Sequence, residues 1–414
     1  MKPIITSLME ADFYKFTMAQ VAWKRFPEAQ VRYGFKNRTK GVMLADVVPE
    51  ERLREELDHA RTLRFTPEEV DFLRTCPRLP KGLFSDGYLE FLAGLQLPEY
   101  SVEKADGQYR IEVAGKWPEA IFWETLVLNV VNELYFRELL VQGGVLADPD
   151  RKDAFWREGS SRLRDKIERL KALPDARVME FGNRRRFSAT WQETVLNYMM
   201  DEIPTQLIGT SNVRLAMAYG LKPSGTFAHE MYMIYSGLFR SSDEELRSSH
   251  NLVLRHWWEE YGETLSVALT DTYGSDFFFR DLSPDQARDW KWLRHDSGDP
   301  IAFGERAIAF YKGLGIDAKE KGIVYSDGLD IDAIERIHAR FAGRIGLVYG
   351  WGTNLTNDLG YKTLSLVMKA VEAGGNPLVK LSDNPEKATG PAELVERFIR
   401  VFGHVPGDAV ECTY

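Results

Sequence analysis

Cysteine is nearly absent: Cys76 and Cys412 are the only two in 414 residues. That excludes a disulfide framework and a cysteine-based zinc site of ordinary stoichiometry, and it suits a reducing cytoplasm. Basic excess is also lacking. Lysine and arginine total 53 against 62 aspartates and glutamates, a net charge of -9, which argues against nucleic acid as a bulk partner because phosphate backbones are held by clustered cations. An anionic small molecule is still admitted, since a basic pocket can sit in an acidic protein. No long hydrophobic run is present either. The most apolar stretch, "IFWETLVLNVVNELYF" from Ile121, is broken by Glu124, Asn129, Asn132 and Glu133, too short and too polar to span a bilayer; it reads as a buried helix. The opening "MKPIITSLMEADFYKF" carries acidic residues where a secretory signal needs an apolar core. None of the seven histidines forms a His-x-x-x-His pair, and neither the serine-hydrolase elbow nor the P-loop motif occurs.

What is present is an ordinary globular composition, 44% hydrophobic and 28% charged, long enough for a large core with a second domain beside it. The first part mixes strand-like pieces ("AQVRYGFKNR") with capped helices. In "FTPEEVDFL", Thr66 is an N-cap, Pro67 occupies the first helical position and Glu69 completes a capping box. From about Arg177 onward, short apolar runs ending in polar or glycine-rich residues alternate with helices such as "SNVRLAMAYG", closed by Gly220, and "DIDAIERIHARF", opened by Asp330. About eight such units occur, the number a closed parallel barrel needs, and chemistry then gathers at the C-terminal strand ends. The expected architecture is α/β: an irregular, TIM-like barrel over 136–387, with a mixed α/β domain over 1–135 to which the tail 388–414 returns.

The unit ends carry the chemistry. "YGWGTN" (Tyr349–Asn354) offers backbone N–H groups to a phosphate, or simply a tight turn. "YSDGLD" (Tyr325–Asp330) is a turn or a holder of a sugar diol. "LRHDSGDP" (Leu293–Pro300) packs Arg294, His295, Asp296, Ser297 and Asp299 together, a guanidinium for phosphate and carboxylates for Mg²⁺ or hydroxyls; a solvated charged loop is the bland alternative. "EFGNRRRFS" (Glu180–Ser188) places three arginines behind a strand end, with Phe181 as a lid for a flat ring. His229, in "KPSGTFAHEMYMIY", is either a packed core histidine or a reacting group. On these residues alone the chain is an α/β barrel handling a phosphorylated sugar, with a metal-dependent hydrolase or an aldolase using Lys380 as the reading they favour.

Taken in order, "ADFYKFTM", "FGNRRRFS", "GTSNV", "SGTFAHE", "LTDTYGSDFF", "LRHDSGDP", "YSDGLD", "GWGTNLTND" and "VKLSDNPEKATG" resemble the nicotinate phosphoribosyltransferase family. The resemblance implies a two-domain, dimeric type II phosphoribosyltransferase. It would form nicotinate mononucleotide and pyrophosphate from nicotinate and phosphoribosyl pyrophosphate, with coupled ATP hydrolysis, in NAD salvage. It implies phosphorylation of His229, with Asp271 orienting its ring; Arg294 on phosphates; Asp296 on the ribose or Mg²⁺; Asp327 and Gly328 on the sugar; Gly352 and Thr353 on the 5′-phosphate; and Arg38 in the substrate site. The pyridine ring would lie between Phe181 and Tyr14 of the partner subunit, with Arg184 and Ser211 at its substituent. A neutral Ser211 favours the carboxylate over nicotinamide, since an aspartate there would repel it. A nicotinamide-using enzyme and a non-catalytic nucleotide sensor are the alternatives on the same scaffold. Two departures stand out: Glu10-Ala11 where Asp-Thr is frequent, and Trp351 at a commonly aliphatic position.

Overall fold

A computed structural model describes residues 2–405 and 407. Two sheets organise them. The first is antiparallel, built from β1 (Gln30–Asn37), β2 (Tyr100–Ala105), β3 (Gln108–Lys116), β10 (Leu366–Ala373) and β11 (Asn376–Pro377), in the order β11-β10-β1-β3-β2. Alternation drives it: in β1 the side chains of Val31, Tyr33 and Phe35 are buried while their neighbours are more open. The β2–β3 hairpin closes through Asp106 and Gly107, both at positive φ, the two-residue turn whose twist matches paired strands.

The second sheet is parallel, with β4 (Val178–Glu180), β5 (Leu207–Thr210), β6 (Val267–Leu269), β7 (Trp292–His295), β8 (Gly322–Tyr325) and β9 (Gly346–Trp351) in the order β5-β4-β9-β8-β7-β6. Its centre is apolar on both faces; all four residues of β8 are buried, as expected where helices cover both sides. The α/β class with a second sheet domain is as the sequence implies, but six of the eight units form ladder strands. The other two run along the edges. Thr210 bridges Pro223 beside β5, and the Leu381 amide donates to Thr272 O (2.9 Å) just past β6. Pro223 has no N–H for a ladder, and Ser382 at φ +65° breaks the extended run.

The return to the N-terminal sheet is also made differently from expectation. β10 and β11 make it, with Val31 opposite Ala373 and Phe35 opposite Met368. Within the described tail, the helix Ala392–Phe402 packs instead on the helix Asp243–Tyr261, because its buried Phe398 and Phe402 meet Tyr273, whose ring centroid lies 4.1 Å from that of Phe402. The remainder of the expected 388–414 return lies outside the described residues.

Between the sheets runs the helix Trp123–Gln142, buried on every side from Trp123 to Phe136, its apolar residues and its polar ones alike. No helix among the described residues is long and apolar enough to cross a membrane. The helix's polar residues meet partners from both halves of the chain. Arg186, fully buried, bonds Glu10 (2.7 Å) and lies 3.6 Å from Glu133, which ties the N-terminal segment, this helix and the turn after β4 together. The capping box of Thr66 and Glu69, the left-handed Gly220 and the Asp330 N-cap all form. Arg186→Met would take a cation from two buried carboxylates, which keep Arg214 (3.6 Å) and Arg137 (2.8 Å) beside them, and the loss should be about 3 kcal/mol in urea unfolding; a change below about 1 kcal/mol would show that the three segments are held by packing instead.

Candidate active site

Because the strands of the second sheet are parallel, the loops after β4, β7, β8 and β9 emerge on one rim. They line a cavity of about 310 Å³, closed from the other side by Arg38 and by Val367 and Lys369 of β10. Seven basic and three acidic side chains line it, so the acidic chain presents a local positive field there. Two glycines shape the rim. A Cβ on Gly350 would lie 2.5 Å from the Phe181 ring, and one on Gly182 would lie 2.0 Å from Thr356 Oγ1, so Phe181 sits against β9 only because Gly350 is bare, and the turn after β4 closes on Thr356 only because Gly182 is.

His229 is the first residue of the helix His229–Leu238. Its Nδ1 lies 2.9 Å from Thr272 Oγ1, and its Nε2 lies 2.9 Å from Asp296 Oδ2 and 3.0 Å from Lys380 Nζ. Burial and the neighbouring Lys380 ammonium lower its pKa to about 4, against the pull of Asp271 and Asp296, so the imidazole is neutral near neutrality. Asp296 is held by Arg294 Nη2 and Ser326 Oγ, both at 2.9 Å. Burial works to raise its pKa, but Arg294, His229 and Lys387 outweigh that and keep it well below the usual carboxylate range. Arg294 also donates to Thr226 Oγ1 (2.9 Å) and Ser326 Oγ (2.8 Å), which fixes its plane.

Asp271 does not hold the His229 ring as the resemblance implies. It stands 3.8 Å from Nε2, and its Oδ2 accepts from Ser297 (2.5 Å) and Ser382 (3.3 Å); Thr272, one residue on, takes the Nδ1 position. Asp271 Oδ1 is buried with no hydrogen-bond partner. His229, Asp271 and Asp296 bring ligand atoms within 4.8 Å of one another. An orphaned carboxylate oxygen beside a second carboxylate fits a hard cation such as Mg²⁺.

At the opposite end, Arg184 Nη1 bonds Glu124 (3.2 Å), and its Nε lies 3.7 Å from Asp12. Tyr14 is buried within its own chain, with the Arg184 guanidinium 5.8 Å from its ring centre. Ser211 Oγ donates to Asp12 Oδ1 (2.7 Å), so beside the neutral side chain at 211 that favours a carboxylate substrate, Asp12 brings a carboxylate to the same place. Burial raises the Asp12 pKa, with Arg184 and Ser211 opposing.

Of the residues expected in the site, Arg38, Phe181, Arg184, His229, Arg294, Asp296, Asp327, Gly328, Gly352 and Thr353 line the one cavity, while Tyr14, Ser211 and Asp271 stand behind it. Trp351 is fully buried and does not enter it. Sequence reasoning assigned nothing to Lys369, Lys387, Thr272 or Asp12. Lys387 bonds Asp327 and donates to Asp296 O (2.8 Å); Thr272 lay visible beside Asp271 in its motif. Lys369, on a strand of the other sheet, had no local signal.

In metal-free protein, the His229 ring should titrate near pH 4 rather than the ordinary 6.5 in a histidine NMR titration, and Lys380→Met should raise it. Since the folded state disfavours the imidazolium, the unfolded chain binds the extra proton first, so this contribution to stability is complete above about pH 6.5 and declines as pH falls toward 4. Gly350→Ala should displace Phe181 and weaken ligand binding at least about tenfold by calorimetry.

Comparison with known proteins points the same way. The profile of the nicotinate phosphoribosyltransferase (NAPRTase) family matches residues 176–405, and that of the NAPRTase N-terminal domain matches residues 9–132. A crystal structure of nicotinate phosphoribosyltransferase from Vibrio cholerae aligns at 32% identity over 97% of this chain and 94% of its own, with a TM-score of 0.85. One from Porphyromonas gingivalis aligns at 33% identity over 97% and 100%, also at 0.85. With both profiles placed in order along the chain and the whole architecture shared, this protein belongs to the nicotinate phosphoribosyltransferase family.

Proposed function

We propose that the chain forms nicotinate mononucleotide and pyrophosphate from nicotinate and phosphoribosyl pyrophosphate, driven by ATP through a phosphorylated His229. The observation that carries this reading is a basic cavity in an acidic chain with a neutral imidazole set between Asp296 and Lys380. A neutral ring has two tautomers. With the proton on Nε2, it donates to Asp296; with the proton on Nδ1, it donates to Thr272 and leaves the Nε2 lone pair facing Lys380 and the cavity. The second form is the nucleophile. Nε2 bonds to the terminal phosphorus of ATP as ADP leaves, and water later cleaves the P–N bond to return phosphate and free imidazole.

In the ribosyl step, the bond from C1 of the ribose to the pyrophosphate oxygen breaks and the pyridine nitrogen bonds to C1. Positive charge develops on the sugar and negative charge on the leaving group. Asp296 and Asp327 supply carboxylates for the first; Arg294, Lys380 and Lys387 supply cations for the second. Asp271 and Asp296 would hold Mg²⁺, which when bound screens phosphate charge. Phe181 covers the pyridine ring, with Arg184 at its substituent. A homodimer with shared sites and a cytoplasmic location belong to the same reading. Tyr14 of the partner subunit would be the second aromatic at the base end; in its own chain Tyr14 lies behind the cavity, against Arg184.

Asp12 beside Ser211 favours a second reading, nicotinamide as the base, because an ionised carboxylate there accepts from an amide and repels a carboxylate. Competition between the two bases decides between them; the proposal expects nicotinate to win. Incubation with labelled ATP should leave acid-labile phosphate on the protein, and His229→Ala should remove it together with the ATP stimulation of pyrophosphate release, a loss of about a hundredfold or more. Full ATP-coupled turnover in that variant would refute the role of His229.

A further inference from the structure

Lys15 is a charged residue buried without a trace of exposure, on the helix Phe13–Arg25. Its ammonium does not line the cavity. It bridges Glu124 and Glu230, the latter at 2.5 Å. The two carboxylates differ in what else they have. Glu230 also accepts from Tyr33 Oη (2.7 Å) and Trp117 Nε1 (2.8 Å), so it stays hydrogen-bonded without the lysine. Glu124 gives one oxygen to Lys15 and the other to Arg184. With Arg184, Arg185 and Lys369, Glu124 lines a small void of about 40 Å³, and these three cations border the main cavity too. One guanidinium therefore serves two carboxylates, Glu124 and Asp12, at the end of the cavity where the ring substituent is read. Without Lys15, Glu124 would lean more heavily on Arg184, and its charge would oppose an anionic ligand.

We propose that Lys15 is a specificity-determining positioning residue: by neutralising Glu124 it leaves the Arg184 guanidinium to bind the carboxylate of the ligand. This rests on the reading of Arg184 as the group facing the ring substituent. A buried triad of this kind contributes little stability against an apolar replacement; what it supplies here is a partner for Glu124 other than Arg184. The burial of Lys15 costs less than its two carboxylates return, which keeps it ionised.

The test uses the full-length enzyme with saturating phosphoribosyl pyrophosphate and ATP, varying nicotinate and nicotinamide separately. Lys15→Met should lower the ratio of kcat/KM for nicotinate over nicotinamide by about tenfold, through the KM for nicotinate, with the KM for phosphoribosyl pyrophosphate unchanged. Adding Glu124→Gln to that variant should restore the ratio to within about threefold of wild type, since the uncompensated carboxylate is then gone. Equal losses for both bases, or no rescue by the double variant, overturn the proposal in favour of a purely structural lysine. If Lys15→Met fails to fold, Glu124→Gln alone decides: a raised ratio supports the proposal and an unchanged or lowered one overturns it. A wild-type enzyme that prefers nicotinamide refutes the substrate reading and this inference with it, whereas a wild-type preference for nicotinate that Lys15 does not influence refutes this inference alone.

Discussion

The contact of His229 with Asp296 and Lys380 joins three parts of the chain that are far apart in sequence: the helix beginning at His229, the loop after β7 and the edge segment past β11. Each partner is itself held. Asp296 is fixed by Arg294 and Ser326, and Lys380 lies within 3.7 Å of Asp271. The imidazole is thus set in position by charges rather than by packing alone. Its neutrality follows from the same arrangement, because burial and an adjacent ammonium both oppose a proton on the ring.

The two ends of the cavity solve different problems with similar means. At the His229 end, cations gather where phosphates would be met, and the carboxylates among them keep those cations from repelling one another. At the Arg184 end, Glu124 and Asp12 share one guanidinium, and Lys15 takes up part of the charge of Glu124 from inside the protein without lining the ligand space. Buried charge of this sort is tolerated only when each member finds an opposite or a set of donors, and Glu230 and Glu124 show both solutions side by side.

Between the ends, shape is set by small residues. Gly350 lets Phe181 rest against the strand end, and Gly182 lets the turn after β4 approach Thr356; Trp351, at a commonly aliphatic position, is fully buried. The Phe181 amide bonds Trp351 O at 2.8 Å, so the strand end that presents the aromatic ring and the one that presents Gly352 and Thr353 are held in mutual register.

Local signals were legible wherever the physics is local. Caps at Thr66, Gly220 and Asp330, the buried character of the helix after Ile121 and the polar ends of the parallel strands follow from neighbours along the chain, and so did the gathering of His229, Arg294, Asp296 and Asp327 once strand ends shared a rim. The sequence by itself determined the α/β class and most of the cavity's chemistry, because periodicity and turn chemistry are written within a few residues. Tertiary structure alone decided that Thr272 rather than Asp271 holds the ring, that Asp12 comes to Ser211, that Lys369 enters from the other sheet and that β10 rather than the tail completes that sheet. Each of these depends on side chains separated by tens to hundreds of positions. Their meeting depends on how two sheets pack, and no short stretch of sequence encodes that.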